Sequence, residues 1–326
     1  MKQAKFLVIG GAGYIGSHLV KALLAQQQQV IIVDNLSAGK ASAILGGELI
    51  THDFEDRAFL DQLFKQHHFA GVFHFASQIV VSESVKNPGK YYRANTSATL
   101  TLLEALRDRQ HIPLVFSSTA AVYGEPLYTP INEQHPTNAV NPYGRSKLMV
   151  EQMLADFANA HAQKYIALRY FNAAGADPLA RIGEQHEPET HLIPLVLQAI
   201  TGKRPPLQIF GEDYDTPDGT CIRDYIHVDD LASAHVLAMY HLINGGESGI
   251  FNLGNGLGYS VNDVIQTAIA VTGQDVPRSY VARRAGDPAR LVADANLAKN
   301  VLGWQPKFSD LSIIIEHAWA WEQAQK

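Results

Sequence analysis

The segment GGAGYIG at residues 10–16 constrains this chain more than any other feature. It follows an apolar, β-branched run, KFLVI, and opens a stretch with helical apolar spacing, YIGSHLVKALLAQ. Gly10, Gly13 and Gly16 permit a tight turn and a close backbone approach, and the amides at the helix N-terminus can bind a pyrophosphate. A strand, a glycine turn and a helix in this order predict the dinucleotide-binding end of a parallel α/β sheet.

The rest of the first half alternates short β-branched runs with longer helical patterns. Because parallel strands need crossover helices, this alternation predicts an α/β fold with a doubly wound parallel (Rossmann) sheet covered on both faces. We predict strands at 5–10, 30–34, 48–53, 71–76, 113–118 and 164–170, and helices at 14–26, 91–109 and 143–162.

The character of the sequence changes after Asn172. Residues 173–223 are rich in Pro, Gly, Asp and Glu and contain one short apolar helical pattern, HLIPLVLQAITG, which predicts the start of a second, smaller α/β lobe. A helix at 226–243 and a strand at 249–254 are expected to return to the large sheet. We therefore expect an NAD-binding domain at 1–172, completed by about 224–258, and a substrate-binding lobe at 173–223 and 259–326.

Composition narrows the function classes. Apolar residues make up 46% and charged residues 18%, which is typical of an ordinary globular protein. The net charge of -6 argues against non-specific nucleic-acid binding. No apolar run approaches the roughly 18–20 residues that span a bilayer. The single cysteine, Cys221, excludes an internal disulfide and a cysteine-based zinc site, and it suits a cytoplasmic protein.

The end of the second predicted strand favours NAD over NADP. Asp34 lies about 20 residues beyond the glycine loop, where a carboxylate binds the hydroxyls of the adenosine ribose. No arginine follows immediately, and Asn35 is the next residue. Asp53, at the end of the third predicted strand, is a candidate contact for the adenine.

A tyrosine and a lysine in NPYGRSK form the candidate chemical centre. Of the 13 tyrosines, only Tyr143 has a lysine, Lys147, four residues later, on the same face of a predicted helix. Thr119 follows the preceding strand, at the carboxyl edge where ligands bind in open α/β sheets. A free phenol has a pKa of about 10, so a nearby ammonium and a cationic nicotinamide are expected to lower it for proton transfer. The set predicts tyrosine-assisted hydride transfer with a nicotinamide cofactor.

At these residues the chain resembles the extended short-chain dehydrogenase/reductase superfamily, and within it the UDP-glucose 4-epimerase family. The resemblance rests on ordered blocks along nearly the whole chain: GGAGYIGSHLV, DNLS, FHFA, ESVKNPGKYYRANT, FSSTAAVYGE, NPYGRSK, RYFNAAGA, DGTCIRDYIHVDDLA, RRAGDPA and LGW. It implies a tightly held NAD that removes a hydride from C4 of a UDP-hexose and returns it to the other face of a 4-keto intermediate. It also implies a homodimer formed through a helix bundle on the large domain.

The resemblance assigns roles residue by residue. Tyr143 matches the base, Lys147 the cation that lowers its pKa and binds the ribose, and Thr119 a hydroxyl partner that is more often serine in relatives. Together with Tyr143 and Lys147, the implied cofactor-binding residues are Gly10, Gly13, Tyr14, Ile15, Gly16, Asp34, Asn35, Asp53, Phe75, Ala76 and Asn95. Together with Thr119 and Tyr143, the implied substrate-binding residues are Asn172, His191, Leu192, Arg223, Arg284, Asp287 and Leu291.

Three positions depart from the pattern of relatives. Ile79 replaces a lysine that contacts NAD in several of them, and His191 replaces an asparagine. Leu291 replaces a bulky tyrosine that restricts the sugar pocket in some relatives, so N-acetylated UDP-sugars are an alternative or additional substrate. Arg223 and Arg284 suit phosphate binding, and Arg283, Arg284 and Arg290 in one short loop offer a local anion site.

The set His186, Glu187, Glu189 and His191 has an irregular spacing that matches no metal-site pattern, so we predict no metal. Cys221 is expected to be a small loop residue and not a nucleophile.

Three other functions are compatible with a chain of this fold class. A 4,6-dehydratase on this scaffold needs an acid–base pair after the threonine, and Ala120 and Ala121 stand there instead. A net oxidoreductase uses the same tyrosine and lysine and stays open. A non-enzymatic NAD sensor is disfavoured because such relatives often lose the pair that this chain keeps.

Overall fold

The computed structural model describes residues 3–284 and 287–325. The strands are β1 (Lys5–Ile9), β2 (Gln29–Asp34), β3 (Glu48–Thr51), β4 (Gly71–His74), β5 (Leu114–Ser117), β6 (Tyr165–Tyr170), β7 (Asn172–Ala174), β8 (Leu207–Phe210), β9 (Ile222–His227), β10 (Gly249–Leu253), β11 (Gly258–Ser260), β12 (Arg278–Val281) and β13 (Arg290–Leu291). The α-helices are α1 (Tyr14–Ala25), α2 (Arg57–Gln66), α3 (Val81–Lys86), α4 (Pro88–Tyr91), α5 (Ala98–Leu106), α6 (Pro142–His161), α7 (Leu192–Ile200), α8 (Val228–Ile243), α9 (Val261–Thr272), α10 (Asn296–Leu302) and α11 (Leu311–Ala324).

The centre of the molecule is a seven-stranded parallel sheet in the order β10-β6-β5-β4-β1-β2-β3. The predicted doubly wound α/β fold is confirmed, and β10 returns to this sheet beside β6 as expected. Because strand side chains alternate between faces, Phe6 and Val8 pack on one side with α1, α8 and α10. Leu7 and Ile9 pack on the other side with α2, α5 and α6.

Smaller sheets flank the carboxyl edge of the large one. β9 pairs with β7, β11 and β13, and β8 pairs with β12. An apolar cluster formed with α7, α9 and α11 supports them. We propose that this second unit is the substrate lobe expected from the sequence, with the chain crossing between the units at β7 and β9.

Two predicted helices differ from the structure. The helix predicted at 226–243 begins at Val228, because Ile226 and His227 end β9 and the His227 ring accepts a hydrogen bond from the Asp229 amide as an N-cap. The helix predicted at 91–109 is interrupted by a π-helical segment, Tyr92–Ser97, and α5 ends at Leu106. Within residues 3–284 and 287–325, no helix is long and apolar enough to cross a membrane.

Candidate active site

The glycine loop lies between β1 and α1 and needs its glycines for steric reasons. Gly10 has φ +79°, and a Cβ there would overlap the backbone of Ala76. A Cβ on Gly16 would overlap the carbonyl oxygen of Gly10. Gly13 is the N-cap of α1 and provides no side-chain cap, so the first amides of the helix are left for a ligand.

Asp34 ends β2 beside this loop. Its Oδ2 accepts a hydrogen bond from the Ala12 amide at 2.9 Å, and its Oδ1 accepts one from the Leu36 amide at 2.9 Å. The carboxylate is therefore fixed at the edge of the loop, where the sequence places the ribose contact. Asn35 Nδ2 donates to Asp53 Oδ2 at 3.2 Å, so these two candidate residues lie together next to Asp34.

Tyr14 and Ile15 begin α1 and connect the loop to the rest of the protein. The Tyr14 hydroxyl donates to the carbonyl of Gly175 at 2.6 Å, just beyond β7. Burial raises the pKa of the Tyr14 phenol well above its ordinary value. Ile15 packs against the core under the sheet. Tyr14 thereby links the nucleotide loop to the second sheet.

Phe75 and Ala76 follow β4 and run alongside the glycine loop, and their amides donate to the Ile9 carbonyl at 2.8 and 3.2 Å. Asn95 is buried, and its side chain is engaged with the protein: Oδ1 accepts from the Gln78 amide at 2.8 Å, and Nδ2 donates to Gln78 O and Ser146 Oγ, each at 3.0 Å. Asn95 therefore fastens the loop after β4 to helix α6. Its direct contact with a cofactor stays a prediction.

Helix α6 begins as its sequence predicts. Asn141 caps it through Oδ1, which accepts from the Gly144 amide at 2.9 Å, and Pro142 occupies the first turn. A Cβ on Gly144 would lie 2.5 Å from the Ala121 carbonyl oxygen. This close approach brings Tyr143, one residue earlier, against the turn that carries Thr119.

Thr119 is oriented by its own backbone. It caps the short 3₁₀ turn Ala120–Val122, and its Oγ1 accepts from the Ala121 amide at 3.1 Å. Because Oγ1 already accepts this hydrogen bond, the hydroxyl can donate its own hydrogen to a neighbouring oxygen. Burial raises the pKa of the Tyr143 phenol, and the hydrogen bond with Thr119 opposes the rise.

Lys147 is 1% exposed, directly below the same site. Its Nζ donates to the Ser117 carbonyl at 2.8 Å and lies 4.8 Å from the centre of the Phe116 ring. Burial lowers the pKa of its ammonium to about 7, and Glu151 opposes this shift. The lowered phenol pKa expected from the Tyr143–Lys147 pair is not found in the protein alone, where burial dominates both groups.

A buried ion pair beneath α6 was missed by sequence reasoning. Arg169 Nη2 donates to Glu151 Oε2 at 2.5 Å, and both side chains are nearly inaccessible. Ser118 Oγ donates to the other oxygen of Glu151 at 2.5 Å, and the Arg169 guanidinium stacks on Tyr123 at 4.8 Å. The pair therefore fixes the residue next to Thr119. The available signals were a glutamate on the Tyr–Lys face of a helix and an arginine inside an apolar strand.

The candidate substrate residues of β7, β9 and β13 are brought together at the carboxyl edge of the large sheet. Arg223 Nη2 donates to Asp287 at 2.6 Å, and Nη1 donates to the Pro288 carbonyl at 2.8 Å. Asn172 Nδ2 donates to the Asp224 carbonyl at 2.8 Å. Leu291 packs against a small cluster that includes Val122, which places it beside the Thr119 turn.

The predicted arginine cluster is divided in the structure. Arg283 is committed to Asp213, at 2.6 Å, and stacks on Tyr214. The Arg284 guanidinium lies 3.7 Å from the centre of the Phe210 ring and is exposed. Among the described residues neither Arg284 nor Arg290, the exposed first residue of β13, has an acidic partner, so both remain available to a negatively charged ligand.

His191 occupies the N-cap position of α7 without a capping hydrogen bond from its side chain, and Leu192 is the first residue of that helix. Although burial disfavours its charged form, Glu184 raises the pKa of His191 to about 10. The structure also gathers His186, Glu189 and His191 around Glu184, a residue the sequence search did not include, and Glu187 is not part of the cluster. Burial raises the pKa of the Cys221 thiol, as suits a residue without a nucleophilic role.

The sequence of this chain is similar to a known protein family and to individual members of it. Residues 6–254 match the NAD dependent epimerase/dehydratase family. The chain is 51% identical over 317 residues to the UDP-glucose 4-epimerase of Halalkalibacterium halodurans, covering 97% of this chain and 95% of that protein.

Solved structures of UDP-glucose 4-epimerases are similar to this chain in fold and sequence. The UDP-glucose 4-epimerase of Brucella ovis in complex with NAD matches with a TM-score of 0.95 and 48% identity, over 97% of each chain. The UDP-glucose-4-epimerase of Stenotrophomonas maltophila with bound NAD and formylated UDP-arabinopyranose matches with a TM-score of 0.96 and 42% identity, over 99% of each chain.

Proposed function

The chain belongs to the NAD dependent epimerase/dehydratase family, and we infer that it interconverts UDP-glucose and UDP-galactose by hydride transfer from and back to C4. The family resemblance inferred from the sequence is confirmed. The observation that carries this function is the meeting of Tyr143, Thr119 and Lys147 at the carboxyl edge of the sheet that also holds the glycine loop.

The residues present fit NAD. A Cβ on Gly10 or Gly16 would overlap neighbouring backbone atoms, so only glycine keeps this loop in its compact form. No side chain caps the first amides of α1, which are therefore available to a pyrophosphate. Asp34 lies about 20 residues after the glycine loop, where a carboxylate binds the ribose hydroxyls, and its carboxylate is fixed by two backbone amides. When bound, NAD supplies the acceptor and donor of the hydride.

We propose that Tyr143 takes the proton from the C4 hydroxyl and returns it after the 4-keto sugar has rotated in the site to present its other face. Thr119, whose acceptor site is used by the Ala121 amide, donates to the same sugar oxygen. Lys147, anchored by the Ser117 carbonyl, supplies the positive charge that favours the phenolate and binds the ribose. Thr119 and Lys147 are buried and Tyr143 is partly buried, which limits the access of water to the site.

For substrate binding we propose that Arg223 and Arg284 hold the diphosphate from opposite elements, β9 and the loop after β12. Arg223 is preorganised by Asp287, and Arg284 by its stacking on Phe210. Asn172 and the start of α7 at His191 and Leu192 complete the contact surface around the sugar nucleotide.

The experiment is incubation of the purified protein with UDP-glucose without added NAD, with products separated by chromatography. We expect conversion to UDP-galactose up to equilibrium. Tyr143→Phe should lose on the order of 10²–10⁴-fold in turnover while retaining NAD. The matched control, Tyr240→Phe, removes a hydroxyl on α8 that donates to Gln26 Oε1 at 3.3 Å, and it should stay active. Near-normal turnover in Tyr143→Phe would contradict the proposed mechanism.

A second candidate, 4-epimerisation of UDP-N-acetylglucosamine alone or alongside UDP-glucose, is favoured by Leu291. This side chain is shorter than a tyrosine and packs beside the Thr119 turn, so it leaves space near the sugar. We expect Leu291→Tyr to lose activity on the N-acetylated sugar while keeping activity on UDP-glucose. Leu291→Met, of similar volume, should keep both. Equal activity ratios in all three proteins would exclude a role for this position.

We further propose that the protein is a homodimer acting in galactose metabolism in the cytoplasm. Helices α5 and α6 pack side by side on one face of the sheet, and each exposes a large apolar side chain, Leu100 and Met149. Exposed apolar surface on adjacent helices suits a helix bundle between two copies.

A further inference from the structure

We propose that Glu184, His186, Glu189 and His191 form a binding site for one divalent transition-metal ion of the zinc type. One potential ligand atom from each of the four residues lies within 4.8 Å of all the others. The cluster shares His191 with the proposed substrate contact surface and contains none of Tyr143, Lys147 and Thr119, so the inference does not depend on the proposed reaction.

The potential ligand atoms lie slightly closer to one another than they would around a bound ion. His186 Nδ1 and His191 Nδ1 lie 2.9 and 2.6 Å from Glu184 Oε1, and His191 Nδ1 lies 3.0 Å from Glu189 Oε1. Zinc binds imidazole nitrogen and carboxylate oxygen at about 2.0–2.2 Å, so tetrahedral ligand atoms stand roughly 3.3–3.6 Å apart. Outward movements of less than about 1 Å would convert the cluster into such a shell.

The donor set selects the class of ion. Two imidazoles and two carboxylates suit zinc and its first-row neighbours, whereas calcium and magnesium prefer oxygen ligands alone. The Nδ1 atoms of His186 and His191 both face Oε1 of Glu184, and a cation bound between the four groups would replace these hydrogen bonds.

Burial and supporting contacts fit an ion site. The side chains of Glu184 and Glu189 are 5% and 3% exposed, whereas the imidazoles are 23% and 38% exposed and leave an entry path. Glu189 Oε1 is held by the amides of Thr190 and His191. Such outer contacts orient ligands in metal sites.

The position of the site indicates what the ion does. The carbonyl of Glu184 accepts from Trp321 Nε1 on α11 at 3.0 Å, the ring of His186 lies edge-on to Tyr14 at 6.2 Å, and His191 begins α7. An ion here joins the segment 184–191 to the glycine loop and to the C-terminal helix. We assign it a structural role that positions the start of α7.

The test is the metal content of the whole enzyme, measured by mass spectrometry after removal of loosely bound ions and exposure to micromolar zinc chloride. We expect about one zinc per chain in the wild type, and the same in the control His111→Gln, an exposed histidine outside the cluster. His186→Gln and, independently, Glu189→Gln should each lose at least tenfold in zinc affinity, with circular dichroism confirming that they are folded.

Cobalt provides a readout on the unaltered protein. Cobalt(II) titrated into the metal-free wild type should give the intense visible absorption of a tetrahedral nitrogen and oxygen site, and zinc should abolish it. The proposal is overturned if the wild type binds no stoichiometric zinc and shows no such spectrum. Zinc that persists unchanged in both cluster variants would overturn it as well.

Discussion

At the residue scale, the burial of the Lys147 ammonium is unfavourable for the stability of the folded protein. Its ammonium is 1% exposed, with a single carbonyl, that of Ser117, as hydrogen-bond partner. Burial lowers its pKa to about 7 from 10.5. A lysine with this environment is destabilising in a protein that does not bind a ligand there.

This shift sets the pH dependence of stability in the NAD-free protein. Between about pH 7 and 10 the unfolded chain keeps the Lys147 proton and the folded protein has released it, so stability rises with pH. We expect the free energy of unfolding of the wild type to rise, relative to that of Lys147→Met, by up to ~1.4 kcal/mol per pH unit in this window. Urea unfolding of both NAD-free proteins at pH 7, 8 and 9 measures the difference. Parallel pH profiles would show that Lys147 stays charged in the folded protein.

The sequence was sufficient to place Tyr143, Lys147, Thr119 and Asp34 at one edge, because carboxyl ends of parallel strands and a four-residue helical spacing are geometric rules. It could not show that Asn95 is fully engaged with Gln78 and Ser146, since those contacts depend on the path of the loop after β4. It also could not reveal Glu184, whose role depends on a fold-back of the chain toward His191.

At the element scale, β9 is one of the strands of the second unit that the sequence analysis did not predict. Its sequence, IRDYIH, contains Arg223 and Asp224, which lower its apolar signal. Both are used by the structure: Arg223 pairs with Asp287, and the buried Asp224 carboxylate accepts from the amides of Asn255, Gly256 and Ala293. A strand whose polar residues carry structural contacts cannot be recognised from apolar alternation alone.

The ion pair between α6 and β6 is the element contact with the largest expected effect. Arg169→Met would leave the Glu151 carboxylate buried with only the Ser118 hydroxyl, and we expect it to destabilise the protein by about 3–5 kcal/mol. The double variant Glu151→Leu, Arg169→Met should regain much of this loss, because no unpaired charge remains. Urea unfolding measures both. A loss below about 1 kcal/mol in the single variant would mean that water reaches the pair.

At the scale of the whole molecule, polar contacts connect helix α1 of the large sheet to the segment after β7: the Tyr14 hydroxyl donates to Gly175, and the Lys21 ammonium donates to Asp177. The predicted sheet is confirmed, and the strands missed or left unassigned belong to the second unit, whose short elements have weak sequence patterns. Local patterns predict the large parallel sheet well because each of its buried strands is nearly all apolar.

The oligomeric state is also a property of the whole molecule. If α5 and α6 form the interface, Leu100→Lys should shift the sedimenting species from twice the mass of the chain to a single chain at micromolar concentration. The control Leu257→Lys alters a similarly exposed leucine between β10 and β11 and should stay dimeric. A wild-type monomer, or a dimer insensitive to Leu100→Lys, would contradict the proposed interface.

The central claim is that one hydride leaves C4 and returns to C4 within the same site. The most direct measurement is the fate of deuterium in UDP-[4-²H]glucose converted by the purified protein in ordinary water with excess unlabelled NADH present. We expect the UDP-galactose product, examined by mass spectrometry and NMR, to keep its deuterium at C4. Replacement of that deuterium by hydrogen, from water or from NADH, would contradict the account.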